Sequence, residues 1–211
     1  MARKAFLALN EGMSIEEHAI DRTRQTYDEY ASEHAARFWN ASVARSWDVF
    51  SSLLPTDALV LDLGCGAGRD VAALENRGCH VIGADLSIGL LREAERRVSG
   101  NFIQADMRIV PFASAQFDGV WMCASLLHIP RRQAAAVMAQ VYRVMGWGSV
   151  LYIAVKQGNG ENWQDRDAPR FFTYYQPNEI VNTIQNAGFS IEASWKEKTL
   201  GRDWVNIIAR K

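Results

Sequence analysis

Short apolar runs alternate with amphipathic stretches from Ala58 to the end of the chain, and no other feature of the sequence constrains the fold as much. A chain that repeats strand and helix forms a mainly parallel sheet, because each helical connection crosses one face of the sheet before the next strand begins. The last two apolar runs, 189–195 and 204–209, have no helical pattern between them, so one of them must run antiparallel. We therefore predict a doubly wound α/β fold with a seven-stranded, mostly parallel sheet that ends in an antiparallel C-terminal hairpin.

The expected positions of the strands and helices follow from apolar runs and from the glycines and prolines that bound them. Strands are predicted at 59–63, 80–85, 101–106, 117–124, 150–156, 189–195 and 204–209. Helices are predicted at 67–77 and 88–98, from Pro130 to the residue before Gly146, and from Pro177 to the residue before Gly188. The run at 150–155 is continuously apolar, which is typical of a strand buried on both faces.

Two regions that do not belong to the sheet are expected to complete the same domain. Residues 1–55 predict an N-terminal helical cap, because apolar side chains within 15–50 recur at helical spacing. Residues 56–211 predict the sheet domain, with an insertion or lid at 157–176 that is irregular, polar and rich in aromatic residues. Long irregular segments inside compact domains are usually functional or disordered, and the aromatic density favours the first.

Composition and charge exclude several classes of protein. The 211 residues carry 23 Lys and Arg against 24 Asp and Glu, so the broad positive field of a general nucleic-acid binder is not expected. Neither a secretory leader pattern nor an apolar run of membrane-spanning length is present, so no membrane association is expected. Three cysteines form no paired framework, which is typical of reduced thiols in a cytoplasmic protein. The four histidines lack metal-ligand spacing, so no metal is expected.

Three glycines within five residues mark the junction between the first strand and the first helix of the sheet. Gly64, Gly66 and Gly68 allow a tight turn and let a ligand approach the main chain closely, because no Cβ intervenes. The crevice at the carboxyl ends of parallel strands is the expected ligand site in such a sheet. A glycine-rich turn without a ligand is the alternative, and three glycines at this junction make it the less favoured one.

The ligand class is narrowed by the residues around this loop. A P-loop is excluded because the Gly-Lys-Ser/Thr ending is absent, and a dinucleotide fingerprint would need Gly or Ala where Arg69 stands. Asp85 ends the second strand, where a carboxylate can accept hydrogen bonds from two ribose hydroxyls. It could instead be a strand-end acid near the cap of the next helix. Ribose binding alone does not separate a nicotinamide cofactor from another nucleoside.

Four motifs in fixed order carry a resemblance to a known family. They are Asp-Leu-Gly-Cys-Gly-Ala-Gly at 62–68, Val-Ile-Gly-Ala-Asp-Leu-Ser at 81–87, Gln-Ala-Asp-Met at 104–107 and Phe-Asp-Gly-Val-Trp at 117–121. Together they resemble the successive motifs of class I S-adenosylmethionine-dependent methyltransferases, over roughly Tyr27 to the C-terminus. The sequence is similar to the broad bacterial group of small-molecule methyltransferases. The resemblance implies a Rossmann-like fold and S-adenosyl-L-methionine as cofactor.

The resemblance implies contacts to the methionine half of the cofactor. Asp62 would face the cofactor ammonium, while Gly64 and its neighbours Cys65 and Gly66 would approach the methionine portion. Cys123, or Ala124 beside it, would line the cavity near the sulfonium, although a buried Cys is also an ordinary small apolar residue. In the cap, the Tyr-Asp-x-x-Ala motif at 27–31 is similar to the family pattern. Its Tyr27 would close over the sulfonium or simply pack against the sheet.

Further contacts implied by the resemblance involve the nucleoside half. Asp85 would bind the ribose diol and Leu86 would pack on the adenine. Asp106 and Met107, at the end of the third strand, would address the adenine edge through the carboxylate and a backbone N–H. Core packing is the alternative role for Met107.

Catalytic and substrate residues are expected outside the strands. Methyl transfer from a sulfonium needs a general base only if the accepting atom must lose a proton early, and His128 is the candidate because its ordinary pKa suits this task near neutrality. A structural role is the alternative for a loop histidine. In the predicted lid, Trp163, Arg170 and Tyr174 are candidate substrate contacts. Alternatively, the aromatic residues there cover the sheet edge.

The leading hypothesis is methyl transfer to a small molecule by in-line displacement. RNA (tRNA) methylation is an alternative, and the net charge of −1 and the lack of an appended RNA-binding module count against it. A non-catalytic S-adenosylmethionine-binding protein is a second alternative, and the intact glycine loop and carboxylates count against it. A nicotinamide oxidoreductase is a third alternative, and Arg69 counts against that one. The acceptor, the accepting atom and the oligomeric state stay open.

Overall fold

Three helices precede the sheet and form a cap over one of its edges. The computed structural model describes residues 14–199 and 201–211, so the first part of the predicted cap, 1–13, lies outside the described residues. The cap helices are α1 (Ile15–Glu29), α2 (Ala31–Phe38) and α3 (Ala44–Ser52). Helix α1 begins at a capping box, in which Ser14 and Glu17 each accept the other's backbone N–H. None of the helices in the described part of the chain combines the length and apolar character needed to cross a membrane.

A seven-stranded sheet forms the centre of the molecule, in the order β3-β2-β1-β4-β5-β9-β8. The elements that follow the cap are β1 (Leu59–Leu63), α4 (Arg69–Glu75), β2 (His80–Asp85), α5 (Ile88–Arg97), β3 (Asn101–Gln104), β4 (Phe117–Cys123), a 3₁₀ turn (Leu126–His128), α6 (Arg131–Val144), β5 (Met145–Lys156), β6 (Glu161–Gln164), β7 (Arg170–Thr173), α7 (Pro177–Asn186), β8 (Ser190–Thr199) and β9 (Arg202–Arg210). Strands β1 to β5 pair in parallel, whereas β9 pairs antiparallel with β5 and with β8. The predicted fold class is confirmed.

Element boundaries differ from the prediction where backbone pairing extends or stops an apolar run. Strand β5 begins at Met145 rather than at 150, because Met145 already pairs with Phe117 before a register shift. The last two strands are longer than predicted, since their pairing continues to Thr199 and Arg202. Helix α4 starts only at Arg69, because Gly68 before it has a φ of +82°. The strands therefore continue into exposed polar residues, which a prediction from the apolar pattern alone leaves out.

The expectation of an irregular segment at 157–176 is wrong. Strands β6 and β7 form an antiparallel hairpin, with Glu161 opposite Thr173 and Gln164 opposite Arg170. Its strands have four residues each, and β6 is mostly exposed. The alternation of polar and apolar residues is therefore too short to predict these strands from the sequence. The hairpin packs on the cap through two hydrogen bonds: Thr23 Oγ1 accepts from the Phe171 N–H at 3.0 Å, and Thr26 Oγ1 donates to the Pro169 carbonyl at 2.8 Å.

Asp70, in the first turn of α4, joins the cap, α4 and the sheet. Its carboxylate accepts from Nε1 of Trp47 at 2.9 Å, from Nε1 of the fully buried Trp121 at 3.0 Å and from the Arg69 guanidinium at 2.8 Å. Trp121 in turn stacks on Tyr152, with ring centroids 3.9 Å apart. This carboxylate satisfies two indole donors that would otherwise lie unpaired in the core.

Replacing Asp70 should therefore destabilise the fold. Asp70→Ala leaves the Trp121 indole N–H and the Arg69 charge without a partner, which we expect to cost about 3 kcal/mol. The melting temperature should fall by roughly 6–12 °C, as measured by circular dichroism. Asp48→Ala is the matched control, since the Asp48 ion pair with Arg77 is exposed and should contribute under about 1 kcal/mol. Equal melting temperatures for the two variants would contradict this assignment.

Candidate active site

One cavity opens at the carboxyl ends of the parallel strands, where the sequence predicts the ligand site. Its volume is about 420 Å³, within the range of about 300–1,000 Å³ that is usual for small-molecule pockets. The strand ends contribute Leu63, Asp85, Cys123 and Lys156 to its lining. The cap and the β6–β7 hairpin cover it from the other side. The cavity thus lies between the sheet and the two regions that do not belong to it.

The glycine loop forms the wall of the cavity next to β1. Gly64 has a φ of +88°, and a Cβ added there would lie 2.2 Å from the Cβ of Ser125. The Gly64 and Cys65 N–H groups both donate to the Ala84 carbonyl, at 2.7 and 3.1 Å, which holds the loop against β2. The loop conformation therefore requires glycine at 64 for both its backbone angle and its close approach to Ser125.

Two carboxylates face the cavity at the ends of β2 and β3. The Asp85 carboxylate accepts from the Gly66 N–H at 2.8 Å and from the Ser87 N–H at 2.9 Å, so its direction is fixed by the backbone. Burial raises the pKa of Asp85. Asp106 pairs with the Arg108 guanidinium at 2.6 Å. Leu86 and Met107 line the same part of the cavity, so the structure brings the four residues assigned to the nucleoside half together.

Buried atoms without partners lie beside the glycine loop; Ser125 lines the cavity, whereas Asp62 is absent from its lining. Asp62 Oδ2 and Ser125 Oγ are both buried, and neither has a hydrogen-bond partner in the described part of the chain. Burial and the neighbouring Asp70 raise the pKa of Asp62 well above its ordinary value. Burial likewise raises the pKa of Cys123, which keeps it a thiol rather than a thiolate. Cys123 and Ala124 both line the cavity.

Tyr27 and His128 form a hydrogen-bonded pair that joins α1 to the 3₁₀ turn. His128 Nδ1 lies 2.8 Å from the Phe171 carbonyl oxygen, which can only accept, so Nδ1 carries the proton. Nε2 therefore accepts from the Tyr27 hydroxyl, at 2.8 Å. Burial lowers the pKa of His128 to about 3 and raises that of Tyr27 to about 12. Near neutral pH both groups are uncharged and engaged with each other.

Residues 60–148 match the profile of a family described as the methyltransferase domain. The matched range contains the glycine loop and both strand-end carboxylates, Asp85 and Asp106. This part of the chain, residues 60–148, belongs to the class I S-adenosylmethionine-dependent methyltransferases. The family inferred from the four motifs is thereby confirmed.

Individual relatives of this chain are named for different acceptors. Malonyl-acyl-carrier-protein O-methyltransferase of Enterobacter lignolyticus is 38% identical over 110 residues, which cover 51% of this chain and 43% of that protein. Demethylmenaquinone methyltransferase of Clavibacter sepedonicus is 38% identical over 79 residues, which cover 35% of this chain and 32% of that protein. The chain therefore matches less than half the length of these two curated relatives.

A solved structure shares the fold of this chain over nearly its whole length. It is 1,6-didemethyltoxoflavin-N1-methyltransferase of Burkholderia thailandensis, crystallised with 1,6-didemethyltoxoflavin and S-adenosylhomocysteine. The two chains superpose with a TM-score of 0.78 at 19% identity, covering 96% of this chain and 93% of the other. At this identity the comparison shows the common fold.

The residues in and next to the cavity fit S-adenosyl-L-methionine, the cofactor that the four motifs imply. The unpartnered Asp62 Oδ2 and Ser125 Oγ lie next to the glycine loop, where an ammonium and a carboxylate need partners. The absence of a Cβ at Gly64 keeps the loop close to Ser125. The Asp85 carboxylate is oriented by the backbone N–H groups of Gly66 and Ser87, as binding of two vicinal hydroxyls requires.

The cap is held over the sheet by the Asp of its Tyr-Asp-x-x-Ala motif. Asp28 Oδ1 accepts from the Ser87 hydroxyl at 2.7 Å and from the Gly89 N–H at 2.9 Å, at the start of α5. A Cβ at Gly89 would lie 2.8 Å from the Asp28 backbone, so glycine permits this contact. In the same motif Tyr27 contacts His34 edge to face, with ring centroids 4.9 Å apart, and both line the cavity.

The three candidate substrate residues of the hairpin occupy different places. Arg170 lines the cavity, pairs with Asp165 and lies over the Tyr27 ring. Trp163 packs outside the cavity against His18 and Phe171 and is 41% exposed. Tyr174 is hydrogen-bonded to Gln164 and is also absent from the cavity lining. The structure therefore brings Arg170 alone of these three to the cavity.

Sequence reasoning missed the residues at the far end of the cavity. Lys156, Trp204 and Asn206 line it there, on the face that β5 and β9 share. Lys156 ends β5 and so lies at the same sheet edge as Asp85, and this position could have identified it from the sequence. Asn206 is a polar residue within the otherwise apolar run 204–209, which is a second signal.

Two partly buried histidines should make stability depend on pH. His128 and His34 have pKa values lowered by burial to about 3 and about 4, so the unfolded chain binds more protons below about pH 6.5. Stability should therefore fall as pH decreases from 7 to 4, as measured by melting temperature. His128→Gln should make this fall shallower, whereas replacement of the exposed His80 by Gln should not. Parallel pH curves for the wild type and His128→Gln would contradict a buried neutral imidazole.

Proposed function

We propose that the protein transfers the methyl group of S-adenosyl-L-methionine to a small-molecule acceptor. One continuous cavity carries this proposal, because it joins the glycine loop to a chamber enclosed by the cap, the hairpin, β8 and β9. A sulfonium supplies a methyl group already activated by its positive charge. The protein then needs to align the accepting atom with that methyl group and to exclude water.

Residues at the middle of the cavity perform these tasks in the proposed mechanism. Tyr27, Cys123 and Ala124 border the region between the glycine loop and the far chamber. The Tyr27 ring presents an aromatic surface that suits a cation. His128 orients Tyr27 by accepting a hydrogen bond from its hydroxyl, and its lowered pKa makes it a poor general base near neutrality. We therefore assign His128 a positioning role and propose no protein base for the reaction.

The size and covering of the cavity favour a small acceptor over RNA. A volume of about 420 Å³ accommodates the cofactor and a small molecule, and the cap and hairpin close over it. The net charge of −1 adds no attraction for a polyanion. The thiols of Cys65 and Cys123 line the cavity, and we propose that the protein works in the reducing cytoplasm, where they stay reduced.

Calorimetric titration with S-adenosylmethionine and S-adenosylhomocysteine tests the proposal. We expect one site with micromolar affinity for each, and transfer of a tritiated methyl group to at least one member of a small-molecule panel. Binding without transfer across the panel would favour the non-catalytic alternative. A salt-sensitive shift of tRNA with methyl incorporation would favour RNA methylation. Failure to bind either compound would overturn the proposal.

A further inference from the structure

The far chamber of the cavity has a floor built from one face of β5, β9 and β8. Cross-strand pairing places Lys156 beside Trp204 and Trp204 beside Glu197. The adjacent row on the same face contains Ala154 and Asn206, because residues two apart along a strand share a face. Lys156 and Asn206 are therefore diagonal neighbours, with Cα atoms about 7–8 Å apart.

Lys156 brings a positive charge into this chamber without a carboxylate to neutralise it. Its Nζ lies 3.7 Å from the centroid of the Phe172 ring, and the side chain is half-buried. Within the described ranges no carboxylate lies at ion-pair distance from Lys156. The nearby Asp165 pairs with Arg170 instead. A partly buried cation is normally paired, so Lys156 is a place where a ligand anion would be stabilised.

A second cation reinforces the positive character of the chamber. Arg202, at the start of β9, lines the cavity and likewise forms no ion pair with a described residue. Burial first, and then the charges of Arg202 and Arg170, lower the pKa of Lys156 to about 8. A bound anion would relieve this repulsion and would be attracted by both free cations.

Asn206 adds an unpaired hydrogen-bond donor to the same floor. The side chain is only 3% exposed, and its Oδ1 accepts from the Tyr152 hydroxyl at 2.7 Å. Its Nδ2 has no hydrogen-bond partner in the described part of the chain, although the residue lines the cavity. An unmade buried hydrogen bond costs about 1–3 kcal/mol, which an accepting oxygen of a ligand would recover.

We propose that the methyl acceptor is a small carboxylate, whose charged group binds Lys156 and Arg202 while an oxygen accepts from Asn206. This inference rests on the proposed methyl transfer and names the class of its acceptor. The Glu197 carboxylate, across Trp204 from Lys156, disfavours a second negative charge at that end of the floor. A monocarboxylate therefore fits the chamber better than a polyanion.

Binding of matched acid and amide probes tests this proposal. Benzoate and salicylate, with benzamide and salicylamide as neutral controls, are titrated into protein saturated with S-adenosylhomocysteine and followed by saturation-transfer NMR. We expect the carboxylates to bind wild type at least tenfold more tightly than the amides. Lys156→Gln should lose that preference, while Lys156→Arg should retain most of it. Lys196→Gln is the control, because Lys196 is exposed and absent from the cavity lining.

The pH dependence of probe binding gives an independent readout. The ammonium form of Lys156 binds the anion, so benzoate affinity should fall as pH rises from 7 to 10, with a midpoint at or above about 8. The charged groups around Lys156 are Arg202 from β9, Arg170 and Asp165 from the hairpin and Glu197 from β8, and none of these types titrates in that range. The affinity of Lys156→Arg for benzoate should stay constant from pH 7 to 10.

Three outcomes would overturn the proposal. They are equal affinity of wild type for acids and amides, no binding of either carboxylate, and unchanged carboxylate affinity in Lys156→Gln. Affinity for S-adenosylhomocysteine should change less than twofold in every variant, which separates the acceptor site from the cofactor site. If the protein does not bind S-adenosylhomocysteine, the methyl-transfer proposal is overturned instead. The preference for carboxylates over amides would then still be measurable on the protein without cofactor.

Discussion

Asp85→Ala should abolish measurable binding of S-adenosylhomocysteine. The carboxylate is held by the Gly66 and Ser87 N–H groups, at 2.8 and 2.9 Å, in the place where two vicinal hydroxyls would donate to it. Hydrogen bonds to a charged group contribute about 1.5–3 kcal/mol each, so losing two should weaken binding by roughly 10²–10⁴-fold. The measurement is calorimetric titration of the purified variant.

Two further variants separate the lost charge from lost structure. Asp85→Asn keeps an accepting oxygen and the size of the side chain, so it should bind more tightly than Asp85→Ala but at least tenfold more weakly than wild type. Glu95→Gln is the matched control, because Glu95 is an exposed acid on α5 outside the cavity lining. An affinity of Asp85→Ala within threefold of wild type would show that Asp85 is not a cofactor ligand.

Gly64→Ala should both destabilise the fold and prevent cofactor binding. The φ of +88° is strained for alanine, which costs about 1–2 kcal/mol. The new Cβ would lie 2.2 Å from the Ser125 Cβ, so the loop or the segment after β4 must shift, at a further cost of about 1–3 kcal/mol. We expect the melting temperature to fall by roughly 4–20 °C. Displacement of the loop should also remove binding of S-adenosylhomocysteine.

Gly78→Ala isolates the backbone contribution to this effect. Gly78 has nearly the same φ, +85°, but a Cβ there would meet no atom within 4 Å. Its melting temperature should therefore fall less than that of Gly64→Ala, and its cofactor affinity should match wild type. Equal losses of stability in the two variants would show that contact with Ser125 is not what requires glycine at 64.

The central sheet could be predicted because its signals are local and repeated. The buried run 150–155 is continuously apolar, and the glycines of 64–68 interrupt the chain where a turn must form. The order of the motifs then identified the family from residues at the ends of β1, β2 and β3 and in the first part of β4. Each of these signals depends on the residue types of a few consecutive positions.

The hairpin at 161–173 could not be predicted, because its strands are stabilised by distant partners. Four-residue strands show too little alternation, and their position depends on Thr23 and Thr26 of the cap, more than 140 positions away. The pKa of His128 could not be predicted from the sequence for a similar reason. Its ordinary pKa is a property of the isolated side chain, whereas Tyr27 and Phe171 enclose it in the folded protein.

The residues that we propose bind the acceptor come together only through tertiary contacts. Lys156 and Asn206 occur in two strands, and their meeting in one chamber depends on the antiparallel pairing of β5 with β9. The linear pattern was sufficient for the sheet, the glycine loop and the position of the two strand-end carboxylates beside the cavity, because these are properties of short segments and of the edge at which parallel strands end. Burial, proton affinity and the absence of an ion partner at Lys156 arise from segments distant in sequence, and they exist only after folding brings those segments together.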